Sequence, residues 1–212
     1  MAYIGKLPAA VQTGIATTAT GTILTITDTS VSSTQNIQLP NAKSIADDSG
    51  NEYIKFVKTS SAVNEISITN TATGNPPNIS ATGGDTNIGL SFTTKGTGLV
   101  KFNNAAYFPE ATLTDGATIT WDVGLYPVAK VTLGGNRTLS APTNGVTGQF
   151  ISLAVVQDST GSRTLTWNSA YEFTGDTAPT LTTTVSKADV FVFRYNGTVW
   201  HETGRNLNLS LT

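Results

Sequence analysis

Short runs in which apolar residues alternate with threonine or another small polar residue recur along this chain, and they restrict it to a sheet-forming fold. Leu24 and Ile26 sit on either side of Thr25, Ile54 and Phe56 flank Lys55, and Ile66 and Ile68 flank Ser67. Ile119, Trp121 and Val123 alternate with Thr120 and Asp122, as do Val131 and Leu133 with Thr132, Ile151, Leu153 and Val155 with Ser152 and Ala154, and Leu165 and Trp167 with Thr166. A side-chain period of two places alternate residues on opposite faces, so each run reads as a half-buried strand. Val190 to Tyr195 is apolar on both faces except for Arg194, the pattern of a central strand.

Composition points the same way. Thirty-eight of the 212 residues are threonine, whose β-branch suits a pleated surface. Turn residues punctuate the runs at Gly134-Gly135-Asn136, Asn144-Gly145, Asp158 to Gly161, Gly175-Asp176 and Asn196-Gly197. Asn196-Gly197 predicts a hairpin with a two-residue type I′ turn, because both central positions of that turn need positive φ. The expected fold class is all-β, with a β-sandwich or jelly roll over 111–212. No period of about 20–50 residues stands out, so neither a solenoid nor a propeller is expected.

Several kinds of chemistry are excluded or disfavoured. Without cysteine there is no disulfide, thiolate nucleophile or cysteine zinc site, and His201 is the single imidazole. Net charge is −2 with no Lys/Arg run, so the counterion release that drives nucleic-acid binding is missing and no nucleic-acid partner is expected. The longest apolar stretch, near 151–156, falls far short of the ~20 residues of a membrane-spanning helix, and no membrane partner is expected. Met1 to Pro8 lacks the apolar stretch of a secretory signal, so synthesis in a cytoplasm is expected, and the N-x-S/T matches at Asn78, Asn136, Asn196 and Asn208 carry no weight as glycosylation sites.

The chain divides on composition into three parts. Residues 1–50 read as an extended N-terminal arm, 51–110 as a small β segment with a connector, and 111–212 as the C-terminal β-sandwich. Only 12% of residues are charged, well below the ~25% usual for a soluble domain, so part of the surface is expected to be covered by other copies.

Candidate chemical groups have plainer readings beside them. His201 and Glu202 are neighbours on a predicted strand and face opposite ways. Asp47 to Glu52 lacks the acidic spacing of a calcium loop, and Lys95-Gly96-Thr97-Gly98 lacks the order and the following helix of a phosphate loop. Both read as turns. Asp115, Asp122, Asp158, Glu172, Asp176 and Asp189 supply carboxylates for a glycosidase pair, but most fall in predicted turns. Trp121, Trp167 and Trp200 suit a sugar-stacking platform; their alternation with threonine assigns them to the core or to a trimer interface. No catalytic residue, metal site or cofactor is expected.

The block Leu113 to Trp121, Val131 to Leu139, Gln157 to Trp167, and Asp189 to Tyr195 with Asn196 to Trp200 resembles a β-domain common in virion proteins of tailed bacteriophages; Ala178 to Leu181 fits that pattern too. Ile79 to Leu90 followed by Thr94 to Gly98 is similar to a segment of phage tail fibres, and Met1 to Gly5 is similar to a fibre-like start. The resemblance implies a homotrimer on the virion surface. With no heptad or Gly-X-Y run for a shaft, the leading expectation is a non-enzymatic capsid cement or decoration protein. Its partner would be the major capsid protein, with Ile23, Leu24, Ile26 and Leu39 of the arm as apolar anchors in strand addition. The alternative is a short tail fibre or receptor-binding appendage in which loops at 158–162 and 175–179 touch a host surface glycan.

Overall fold

A computed structural model describes residues 43–47 and 49–211. The expected arm anchors Ile23, Leu24, Ile26 and Leu39 lie outside these described residues. The described part is mostly β, with no α-helix and one 3-10 turn, and the chain divides into two units, 1–93 and 94–212.

The first unit holds two separate antiparallel hairpins. β1 (Lys43–Ala46) pairs with β2 (Glu52–Phe56), and β3 (Asn64–Thr69) pairs with β4 (Asn78–Gly83). Asp47 organises the β1–β2 turn by accepting from the Ser49 and Asn51 amides at 3.0 and 2.7 Å and from Asn51 Nδ2 at 2.9 Å. The alternation seen in the sequence produces the strands but not burial. Ile66 lies opposite Ala81 and Ile68 opposite Ile79, which collects the apolar side chains on one hairpin face, and Ile66, Ile68 and Ile79 are all exposed. Ile45, Ile54 and Phe56 are exposed on the other hairpin.

The second unit contains the core. Its strands are β5 (Glu110–Thr112), β6 (Thr118–Ile119), β7 (Val128–Leu133), β8 (Arg137–Leu139), β9 (Phe150–Gln157), β10 (Leu165–Trp167), β11 (Tyr171–Glu172), β12 (Ala188–Tyr195) and β13 (Trp200–Leu209). They form a six-stranded sheet in the order β11-β13-β12-β9-β7-β5 and a three-stranded sheet in the order β10-β8-β6. The chain alternates between the two sheets from β5 to β11. Successive strands within each sheet are parallel: β5 with β7, β7 with β9, β6 with β8, and β8 with β10. This corrects the jelly-roll expectation, since a jelly roll pairs its neighbours antiparallel. Parallel neighbours need a crossover, and here the crossover from β5 to β7 runs through β6 and that from β7 to β9 through β8. The segment 110–167 is therefore wound as a short two-sheeted coil. Bonds outside the strands tie adjacent turns together, from the Ser140 amide to Ile119 O at 2.9 Å and from the Asn168 amide to Leu139 O at 3.1 Å.

The last two long strands complete the sheet in another way. β12 runs antiparallel to β9, β13 antiparallel to β12, and β11 parallel to β13. The β12–β13 hairpin thus lies between the third turn of the coil and β11. β12 is flanked on both sides, as its two-faced apolar pattern predicted. Its connection differs from the expected type I′ turn: residues 196–199 form a longer loop in which Asn196 Oδ1 accepts from the Thr198 and Val199 amides, both at 2.8 Å, and Gly197 alone takes positive φ, at 103°.

Both sheets feed one apolar cluster. Ile119, Leu139 and Leu165 come from the small sheet, and Ala129, Val131, Leu133, Ile151, Leu153, Val155, Phe191, Phe193 and Trp200 from the large one. Register aligns the inward rows, with Ala129 opposite Leu153 and Leu153 opposite Phe191. Full burial of each Leu, Val or Phe contributes about 1.5–3 kcal/mol. Two buried polar groups are satisfied in place. Gln157 donates to Arg163 O at 2.9 Å and accepts from the Arg163 amide at 2.8 Å. Asp189 accepts from the Thr182 amide, the Thr182 hydroxyl and the Asn208 amide at 2.6, 2.7 and 2.9 Å. The latter pins the 181–183 segment to both strands of the hairpin.

Gly145 is required by close packing, because a Cβ there would lie 2.6 Å from Trp200 Cζ2. Gly145→Ala is expected to lower stability by about 1–3 kcal/mol through overpacking, whereas Gly204→Ala, which meets nothing within 4 Å, should stay close to wild type. Urea unfolding of the two variants checks this; equal midpoints would contradict the packing at Trp200.

Candidate functional site

Four of the six carboxylates singled out in the sequence hold the scaffold together. Asp115 accepts from Arg137 Nε and Nη2 at 2.7 and 2.8 Å and from the Gly134 amide at 3.1 Å. Asp122 accepts from the Gly124 amide and from Asn144 Nδ2. Asp158 closes its turn by accepting from the Thr160 and Gly161 amides at 2.9 and 2.8 Å, and it pairs with Arg163 at 2.8 Å. Asp189 is the buried acceptor described above. The Arg137 hydrogen bonds hold the Asp115 carboxyl below the usual range, and those from Arg163 hold Asp158 at about 2. A turn-capping carboxylate is already engaged in the fold, so these four are poor candidates for contacting a ligand.

Glu172 and Asp176 differ. Neither carboxylate has a side-chain hydrogen bond or ion pair among the described residues, and both line a cleft of about 280 Å³ together with Trp167, Asn168, Ser169, Tyr171, Phe173 and Ala178. Three short elements build the cleft. β10 ends at Trp167, β11 carries Tyr171 and Glu172, and a 3-10 turn at Thr174–Asp176 follows. Gly175 and Asp176 take consecutive positive φ values of 66° and 52° in that turn, a backbone that glycine and aspartate tolerate better than most residues.

Trp167 is the centre of the cleft wall. Its ring stands edge-to-face with Tyr171, Phe173 and Phe191 at centroid distances of 5.3, 5.2 and 5.0 Å. Such pairs add about 0.5–1.5 kcal/mol each beyond area burial, so the indole is held rigidly where the two sheets meet. Two polar atoms in this wall, Trp167 Nε1 and the Tyr171 hydroxyl, are buried with no hydrogen-bond partner. Each unmade bond of this kind costs about 1–3 kcal/mol. Burial also pushes the Tyr171 phenol well above its usual pKa, so it stays protonated.

The other expected site residues lie elsewhere. Trp121 and Trp200 are 1% and 2% exposed in the core, with Trp121 Nε1 donating to Tyr126 O at 2.7 Å, while Trp167 is only partly buried. His201 is exposed and lies 3.4 Å from Asn196 Nδ2, and its neighbour Glu202 pairs with Arg205. Lys95 to Gly98 is a turn closed by the Gly98 amide on Lys95 O. Among the described residues no group of three or more His, Asp or Glu could hold a metal ion, and no helix is long and apolar enough to cross a membrane. Sequence reasoning missed Asn168, Tyr171 and Phe173. The only available signal was their closeness to Trp167 and Glu172 in the chain.

Residues 119–200 match a family model described as "Putative phage tail fibre C-terminal domain". The matched segment spans most of the coil, the β12–β13 loop and every residue of the cleft. No curated protein matches the chain. The match makes this part of the chain similar to a phage tail-fibre domain and supports a virion component.

The Asp158–Arg163 pair gives a pH signature. Because the folded-state pKa of Asp158 lies below its unfolded value, its stabilisation is complete at neutral pH and fades as pH falls from about 4 towards 2. Asp158→Asn should therefore lower the melting temperature at pH 7 and flatten its dependence across that acid window. Thermal melts at pH 2, 3, 4 and 7 measure both effects; an unchanged acid slope would contradict the assignment.

Proposed function

We propose that this chain is a short tail-fibre-like virion protein, non-enzymatic, whose C-terminal body contacts the host surface. The match of 119–200 to a tail-fibre C-terminal family carries the reading. It favours the alternative of the sequence analysis over capsid cement, and with it a tail location over a partnership with the major capsid protein. A host-facing role is also consistent with the cleft, since four carboxylates are engaged in the scaffold and the two left without partners share one depression.

Assembly as a homotrimer belongs to the same proposal. Two-stranded hairpins are marginal alone in water, and those of the first unit expose Ile45, Ile54, Ile66, Ile68 and Ile79. Packing of those faces between copies would bury this surface and account for the low charge. Trp121 and Trp200 then stabilise each subunit's own core rather than an interface, and the part of the expected arm that precedes β1 serves for attachment.

Quantitative proteomics of purified particles tests the reading. A tail-fibre-like protein should be present at a few copies per particle and remain with tails when heads and tails are separated. An abundance comparable to that of the major capsid protein, recovered with heads, would overturn the proposal and restore the cement function.

A further inference from the structure

We infer that the end of the second unit at which its parallel strands begin is a self-association surface, covered by the same end of a second copy of this chain. The inference rests on the homotrimer proposed above and gives it an interface within the second unit. β5, β7 and β9 run parallel, so Glu110, Val128 and Phe150 start their strands at one end. A depression of about 500 Å³ lies there, and its lining, which includes Phe108, Leu125, Gln149 and Phe150, contains no charged side chain. Phe108, Leu125 and Phe150 are 69%, 69% and 57% exposed.

The backbone under this surface is braced. Gln149 Nε2 donates to Val123 O at 2.7 Å, while its Oε1 accepts from the Val146 amide at 3.0 Å. Trp121 Nε1 donates to Tyr126 O at 2.7 Å, and the Ser152 amide donates to Pro127 O at 2.9 Å. These bonds engage the local polar groups and tie both loops to the core, so Leu125 and Phe150 face water from a fixed backbone. Tyr107, Phe108, Leu125, Tyr126, Val146 and Phe150 together leave on the order of 700 Å² uncovered, taking about 150–250 Å² for each aromatic side chain. A monomer's largest apolar patch is about 300–600 Å², and a standard interface takes ~800 Å² from each partner. The uncovered area is therefore close to one partner's share. With neither cation nor anion in the lining, a charged partner finds no complement. A second copy does, because an apolar patch matches its own equivalent and closed symmetry then limits the assembly. The chain also enters β5 through Tyr107-Phe108-Pro109 at this end, so copies joined here keep their upstream chains together.

Sedimentation velocity of the full chain tests this. The wild type should associate, and Leu125→Gln combined with Phe150→Gln should weaken association roughly tenfold or more while the tryptophan fluorescence of the core stays unchanged. Val185→Gln, at an exposed residue beside Gly161, should leave association as it is. Cross-linking locates the contact, because the chain has no cysteine of its own. Leu125→Cys should be joined between copies by a short bis-maleimide, whereas Thr160→Cys, beyond the far end of β9, should not. If the double variant does not fold, the cross-link decides. Association unchanged in a folded double variant, or Leu125→Cys joined no more readily than Thr160→Cys, overturns the inference and leaves the homotrimer to another surface. A wild type that stays monomeric overturns both the inference and the homotrimer. Neither result touches the tail location, which the particle proteomics decides.

Discussion

The stacking of inward apolar rows across parallel turns of backbone is the constraint on which the second unit depends. Ala129, Leu153 and Phe191 occupy facing positions on three adjacent strands, and Val131 faces Val155 beside them. Because the chain crosses to the small sheet between parallel strands, each turn closes only if Ile119, Leu139 and Leu165 meet this row from the other side. The β12–β13 hairpin then gives the coil an antiparallel end, and Asp189 fixes that end to the preceding segment. Outer strands are kept short at β5 and β11, which limits the open edge available for unwanted pairing.

Much of this was legible in the sequence. Alternation marked β7, β9 and β10, and the two-faced apolar run at 190–195 marked a strand flanked on both sides. The winding was not legible, because its turns differ in length. Glu110 faces Val128 and Val128 faces Ser152, while Thr118 faces Thr138 and Arg137 faces Leu165. No fixed spacing exists for a repeat search to detect. The type I′ reading of Asn196-Gly197 failed for a local reason: the Asn196 side chain caps two amides and stabilises a longer loop. In the first unit alternation marked β2 and β3 but not β1 or β4, and it marked burial wrongly, since period two reports which residues share a face and not what covers it.

The cleft was only partly readable. Trp167, Glu172 and Asp176 were all noticed, but alternation grouped Trp167 with the two core tryptophans, and composition grouped the two acids with four others that turned out to be structural acceptors. What separates them is side-chain hydrogen bonding, part of it over long sequence distances, such as Asp115 with Arg137, which no local pattern contains, and part of it within a turn, as at Asp158. The low overall charge has a related meaning: many of the charged side chains close turns or pair across loops, so few are left to make the surface electrostatically distinctive.

Native-state hydrogen exchange measures the wound core most directly. Amides of Val128–Leu133, Phe150–Gln157 and Ala188–Tyr195 should exchange together, only through global unfolding, as expected for one cooperative body. Exchange of β12 well before β7 and β9, or fast exchange throughout β7, would show that the hairpin and the coil do not share a core and would contradict the architecture on which the cleft is built.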